Sequence, residues 1–194
     1  MVLKEVCNNR VFAALLMLGF GVALARWSNQ YGANNVTQDY VEIRIADKEF
    51  TIPMSVRDLL DCGYSVMGCD YPAATKDVDN VVYFTNTDGY LLTANVTTDK
   101  EESCAIEDGV IVDILADTGN TEGTELSVYG GIGLESTEEE VRAVYGEPRF
   151  DFNGDKLYYI PLNNGNDMDM VCVALTDGVV RRIEVSNVQE YRQE

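Results

Sequence analysis

Residues 104–114 read CAIEDGVIVDI and residues 172–183 read CVALTDGVVRRI, the second with one extra residue before its turn. In each, an Asp-Gly pair lies between apolar segments, a strong short-range hairpin signal. Hairpin turns are therefore expected at Glu107-Asp108-Gly109 and Thr176-Asp177-Gly178. The likeness of the two stretches predicts that the chain repeats itself in degenerate form.

Working outward from both stretches extends the repeat. In the first half, Ser55 offers an N-cap with Asp58 three residues on, and Val56, Leu59 and Leu60 form a helical stripe that Gly63 ends, a short helix over 55–62. In the second half, Ser136-x-x-Glu139 and Thr137-x-x-Glu140 are overlapping capping boxes, so a helix start is marked while its register stays open. Val141, Val144 and Tyr145 make the stripe, Gly146 the stop, and Pro148 prevents continuation. Apolar runs at 81–84, 90–96 and 110–115, with a turn at Thr87-Asp88-Gly89, read as strands of the first half. Runs at 157–160, 170–175 and 179–185 read as strands of the second. Val41, Ile43 and Ile45 alternate with polar residues, and Asp47-Lys48 turns the chain toward a strand at 50–52.

The expected fold class is α+β: two tandem repeats, each a short helix followed by an antiparallel sheet, preceded by an N-terminal hydrophobic segment. The expected boundaries are a signal peptide or anchor at 1–25, a polar tether at 26–40, a first repeat at 41–116, a linker at 117–125 and a second repeat at 126–190.

The second half carries G-x-x-S-T-x-E-E-V over 133–141, Y-G-x-P at Tyr145-Gly146-x-Pro148, the aromatic pair Tyr158-Tyr159 and a D-G-x-V turn at Asp177. This series resembles the β-lactamase inhibitor protein (BLIP) superfamily, which also contains the small lipoprotein of the outer-membrane β-barrel assembly machine. Asp58-Leu59-Leu60-Asp61-x-Gly63-Tyr64 followed by a later Y-G-x-P is similar to exported or membrane-anchored proteins of Gram-positive bacteria. The resemblance covers 126–186 well and 41–116 loosely, since the first half lacks Y-G-x-P and carries an insert at 71–79. It implies a fold of helix-then-sheet repeats. Its motif residues are caps, stops and turns, so it transmits no activity and no β-lactamase-binding loop.

The N-terminus points to the compartment. Lys4 and Arg10 precede an uninterrupted apolar run, VFAALLMLGFGVALA over 11–25, closed by Arg26. A basic start, an apolar stretch and Ala23-x-Ala25 read as an export signal with a small-x-small cleavage site. The rival is an uncleaved anchor in which Val2, Leu3, Val6 and Trp27 lengthen a span otherwise short of the ~30 Å hydrocarbon core. Either way the bulk of the chain lies outside the cytoplasm, and 11–25 is its one expected membrane contact.

Charge and composition exclude whole classes. With 14 bases and 33 acids the chain carries −19. Loss of Lys4, Arg10 and Glu5 with residues 1–25 takes two bases and one acid, leaving the exported part at −20. Phosphate backbones need a cationic surface, so no nucleic-acid partner is expected. The chain has no histidine, which removes Ser-His-Asp and Cys-His catalysis and His-ligated metals. Asp151-x-Asn153-x-Asp155 begins like a calcium loop, but the twelfth position is Leu162 rather than a bidentate acid, so an Asn-Gly turn is expected. The polar stretch 163–167 with Asp169 reads as a hairpin loop. Glu138, Glu139 and Glu140 are accounted for by the helix dipole. No pair of carboxylates is singled out for glycoside hydrolysis, and no cofactor is implied.

Four cysteines follow the apolar run. Their even number in an oxidising compartment predicts one disulfide joining two of Cys62, Cys69 and Cys104; buried free thiols are the plainer alternative. Tyr158 and Tyr159 point to opposite faces of their strand, so one of them is expected to stand exposed on the sheet. The function expected is an extracytoplasmic, non-enzymatic protein-interaction module acting in envelope assembly or inhibiting an exported enzyme. The alternative is a small-ligand or carbohydrate-binding module on the aromatic sheet.

Overall fold

The computed structural model describes residues 41–76, 78, 80–119, 125–162 and 169–187. These belong to the compact unit Asn34–Glu194; a second unit, Met1–Ala33, lies outside the described residues. The hydrophobic segment 1–25, the tether 26–40, most of the expected linker (120–124) and the loop 163–167 are likewise outside them.

Period-2 alternation governs the chain from its first described residue. In β1 (Val41–Ile45) Val41, Ile43 and Ile45 are buried while Glu42 and Arg44 face water. It pairs antiparallel with β2 (Lys48–Ile52) and with β8 (Leu126–Val128), which pairs in turn with β9 (Ile132–Gly133). These four strands form a small sheet in the order β2-β1-β8-β9.

The other strands form one long antiparallel sheet. From one edge run β10 (Phe150–Phe152), β11 (Asp155–Pro161), β12 (Met170–Thr176) and β13 (Val179–Ser186). Beside β13 lie β7 (Val110–Asp117), β6 (Leu91–Thr97), β5 (Asn80–Thr85) and β4 (Ser65–Cys69). The two meanders therefore meet last strand to last strand, with Ile114 opposite Val185 and Ala116 opposite Ile183. The two-residue β3 (Met54–Ser55) pairs the start of β7, so the chain steps from the small sheet to the long one between Ile52 and Met54.

Two short helices lie between strands. Ser55 caps α1 (Val56–Leu60), accepting from the Asp58 amide at 3.1 Å, and Gly63 turns the chain at φ 89°. Thr137, not Ser136, caps α2 (Glu138–Tyr145), which closes the register left open by the sequence: the Thr137 hydroxyl accepts from the Glu140 amide and the Glu140 carboxylate accepts from the Thr137 amide at 2.7 Å. Gly146 ends it at φ 76°, a conformation that favours glycine.

The expected α+β class is overturned. The described chain is mainly antiparallel β, in two sheets. Helices of five and eight residues bury only Val56 and Leu59, and Val141 and Tyr145. That is too little apolar surface to cover a nine-stranded sheet. The small sheet supplies the rest: Val41, Ile43, Ile45, Leu126, Val128 and Ile132 share one core with Phe84, Leu92, Ile114, Val173, Ile183 and Val185 of the long sheet. The segments expected to make separate sheets pair instead across β7 and β13, which leaves neither with a bare edge there. Asn187, 2% exposed, joins the layers: its amide donates to the Val112 carbonyl and its side chain to the Ile52 carbonyl, each at 2.9 Å.

The expected hairpin at Asp108-Gly109 is also corrected. Asp177 and Gly178 do turn β12 into β13, at φ 52° and 77°. Residues Ile106–Asp108 instead form a 3₁₀ turn leading into β7, whose hairpin neighbour β6 ends at Thr97, thirteen positions before β7 begins at Val110. Arg57 of α1 holds that turn through Asp108, Nε to Oδ1 at 3.1 Å.

Candidate functional site

The long sheet has two unlike faces. Its inner face carries Val82, Phe84, Leu92, Ala94, Ile114, Ala116, Ile183, Val185, Val171, Val173, Tyr158 and Ile160, all of the common core. None of the residues alternating with them belongs to that core. The registers align them in rows across six strands: Tyr83, Thr93, Leu115, Glu184, Cys172 and Tyr159 form one. Thr85, Leu91, Asp117, Arg182, Ala174 and Leu157 belong to the same outer face, most of them half-buried against one another. Both helices and the small sheet contribute to the inner core.

The outer face is mixed in chemistry. Its middle holds the Arg182–Glu184 pair at 2.5 Å, with Asp117 opposite Arg182 across β7 and β13. Toward β10 it becomes aromatic: Arg149 lies over the Tyr159 ring at 5.9 Å, within cation–π range, and Phe150 stacks on Phe152 with centroids 6.1 Å apart. Phe152 is 60% exposed. Aromatic and arginine side chains on a half-apolar surface are the composition enriched where proteins contact proteins.

The two tyrosines separate as alternation requires, but neither stands free. Tyr158 is 2% exposed in the core, with its hydroxyl near Arg142 of α2; burial pushes its pKa up while Arg142 pulls it down. Tyr159 is half-buried on the outer face under Arg149. A platform of both rings does not exist, because they lie on opposite sides of the sheet.

Among the described residues no disulfide joins Cys62, Cys69, Cys104 or Cys172. Cys62 follows α1 and burial raises its pKa. Cys104 pairs by backbone with Ala74. Cys172 lies within the outer row, where burial pushes its thiol up to about 12. Cys69 is exposed at the end of β4. A thiolate nucleophile needs the opposite environment from that of Cys172 or Cys62.

Two of the three acids of α2, Glu138 and Glu140, are engaged within the fold. Glu138 pairs with Lys156 and, at 2.8 Å, with Arg142; the Lys156 hydrogen bond above all holds its carboxyl below the ordinary range. Glu140 is held low by the Thr137 amide and then the Thr137 hydroxyl. Among the described residues no three Cys, Asp or Glu side chains form a group suited to a metal ion. Among them, too, no helix is long and apolar enough to cross a membrane.

Sequence reasoning passed over Tyr83, Thr93, Leu115 and Glu184. Their strands were legible, and the signal that would have found them is the second set of the alternation, the residues left over once the core set is assigned. No protein-family model, curated protein or solved structure matches the chain.

Proposed function

We propose that this protein is an extracytoplasmic, non-enzymatic interaction module that binds another protein through the outer face of its long sheet. One observation carries the reading. Six strands from both halves align Tyr83, Thr93, Leu115, Glu184, Cys172 and Tyr159 in one row on a face outside the common core, with Leu115 and Cys172 buried, the others half-buried, and Arg182 and Arg149 beside it. A contiguous surface of that kind is the usual mark of a protein contact. The partner fits envelope assembly or an exported enzyme that the module inhibits. Export is inferred from the basic start, the apolar run and Ala23-x-Ala25. Kinship with the BLIP superfamily is part of the same proposal; Thr137, Gly146 and Asp177-Gly178 act as the cap, stop and turn that the shared motif requires.

Binding of a sugar by Tyr158 and Tyr159 loses its basis, since one ring is in the core and the other lies under Arg149. The test is to replace Thr93 and Ala174, both half-buried on the outer face, by arginine and measure recovery of crosslinked partner from intact cells. Partner recovery is expected to fall about tenfold or more, as for truncation of a central contact, with unchanged circular dichroism. Full recovery by both folded variants contradicts the assignment.

A further inference from the structure

Two antiparallel sheets have four edges, and each meets water differently. At β2 the edge carries Lys48 and Glu49; β9 is two residues long. At the far end of the long sheet β10 is three residues long, with Asp151 at its centre. Shortness and charge are the devices by which edge strands avoid pairing with other chains. Strand β4 uses neither. Ser65–Cys69 is five residues, SVMGC, with no charge and no proline. Its one edge device is a bulge between Val66 and Gly68 that sets Met67 out of register with β5.

The strand, and the segment that joins it to β5, carry exposed apolar side chains. Met67 is 51% exposed, Tyr71 54% and Val78 42%, and Cys69 beside them is exposed. They account for three of the five large hydrophobics standing out from the described surface. The segment beyond Cys69 is held in place: the Asn80 side chain accepts from the Tyr71 amide at 3.0 Å and donates to the Tyr71 and Ala73 carbonyls at 2.9 and 3.1 Å. Asn80 is itself 1% exposed. These side chains thus stand on a fixed support beside a backbone edge that no other described strand pairs.

We propose that β4 accepts an extended segment of another protein as an added strand, and that the segment carries lysine or arginine on either side of a short apolar core. The apolar core follows from the uncharged strand and from Met67 and Tyr71. The flanking cations follow from electrostatics: Asp70 directly follows the strand, Asp61 lies four residues before it with the Lys48 ammonium on its carbonyl at 3.0 Å, and the whole chain carries −19. Complementary charge steers such an encounter and fixes its register. The same charges disfavour a second copy of this chain, because β4 against β4 brings two strongly acidic proteins together. The inference is independent of the outer-face reading, since edge pairing uses the backbone of β4.

The probe is the blocked synthetic peptide KKVTVTVKK, titrated into the purified full chain and followed by amide NMR shifts. Expected are shifts confined to 65–71 and the neighbouring β5, weakening with salt. The peptides EEVTVTVEE and KKVTPTVKK should bind about tenfold or more weakly, the first by like charge and the second by losing a ladder donor. Met67→Lys, at an exposed position out of register, should weaken the KKVTVTVKK complex while leaving the spectrum folded. Four results overturn the proposal: no binding, shifts spread over the acidic surface, equal binding of the proline peptide, or a dimer of the free chain built on β4. Failure here leaves the outer-face variants free to succeed, and the converse holds.

Discussion

Asn187→Ala probes the joint between the two sheets. The Asn187 side chain, 2% exposed, donates at 2.9 Å to the carbonyl of Ile52, the last residue of β2, while its own amide donates to Val112 in β7. Alanine keeps the backbone bond and removes the side-chain one, leaving the Ile52 carbonyl without that donor inside the core. An unsatisfied buried acceptor costs about 1–3 kcal/mol. For a domain near 150 residues each kcal/mol lowers Tm by about 2–4 °C, so the expected loss is roughly 2–12 °C. The assay is thermal and urea unfolding followed by both circular dichroism and tyrosine fluorescence. Because the small sheet and the long sheet share one core, both probes should report one transition, shifted together in the variant. A loss below about 0.3 kcal/mol refutes the role given to Asn187, being within the range of ordinary surface substitutions. Two separate transitions, the small sheet melting first, refute the single core.

Three further outcomes follow from particular contacts. Thr137→Ala removes the hydroxyl that accepts from the Glu140 amide and should cost about 1 kcal/mol in urea unfolding, whereas Ser136→Ala should leave the α2 start intact. Glu138 has its carboxyl lowered in the fold by Lys156, so its contribution is present above the ordinary glutamate pKa of about 4.3 and is lost as pH falls through the depressed value. Stability measured from about pH 7 down to pH 3 should therefore drop less steeply in Glu138→Gln than in the parent; parallel curves would disprove the linkage. Thiol labelling of the folded protein should modify Cys69 well before Cys172, whose thiol burial pushes up to about 12; early labelling of Cys172 would mean the outer row opens readily.

Much of the β-structure was legible because burial writes itself into alternation. The runs at 81–84, 90–96, 157–160 and 179–185 each fall inside an observed strand or overlap it with a shift of one residue. Ser55, Gly63, Thr137 and Gly146 marked the helix ends because caps and stops use few residue types. What failed was class and assembly. A three-residue strand such as Leu126–Val128 is too short to show a period, so the small sheet went unseen. The pairing of β7 with β13 is a contact between residues some seventy apart, and nothing local encodes it. The Asp-Gly signal was the same at 108 and 177, yet only Asp177-Gly178 closes a hairpin; at Asp108 the Arg57 ion pair holds a 3₁₀ turn, and Gly109 follows it where any side chain would meet Val96 and Ala74. The aromatic pair drew attention to β11, but nothing local encodes that Arg142 and Arg149 lie beside its two rings.

Contact between the outer face of the long sheet and a protein outside the cytoplasm can be sought directly. Photocrosslinking side chains placed singly at Thr93 and Ala174 on that face, and at Glu42 and Thr51 on the solvent side of the small sheet, test it in living cells. A discrete protein adduct of one mass is expected from both outer-face positions and none from the small sheet. Adducts from the small sheet alone, or none from Thr93 and Ala174, would contradict it.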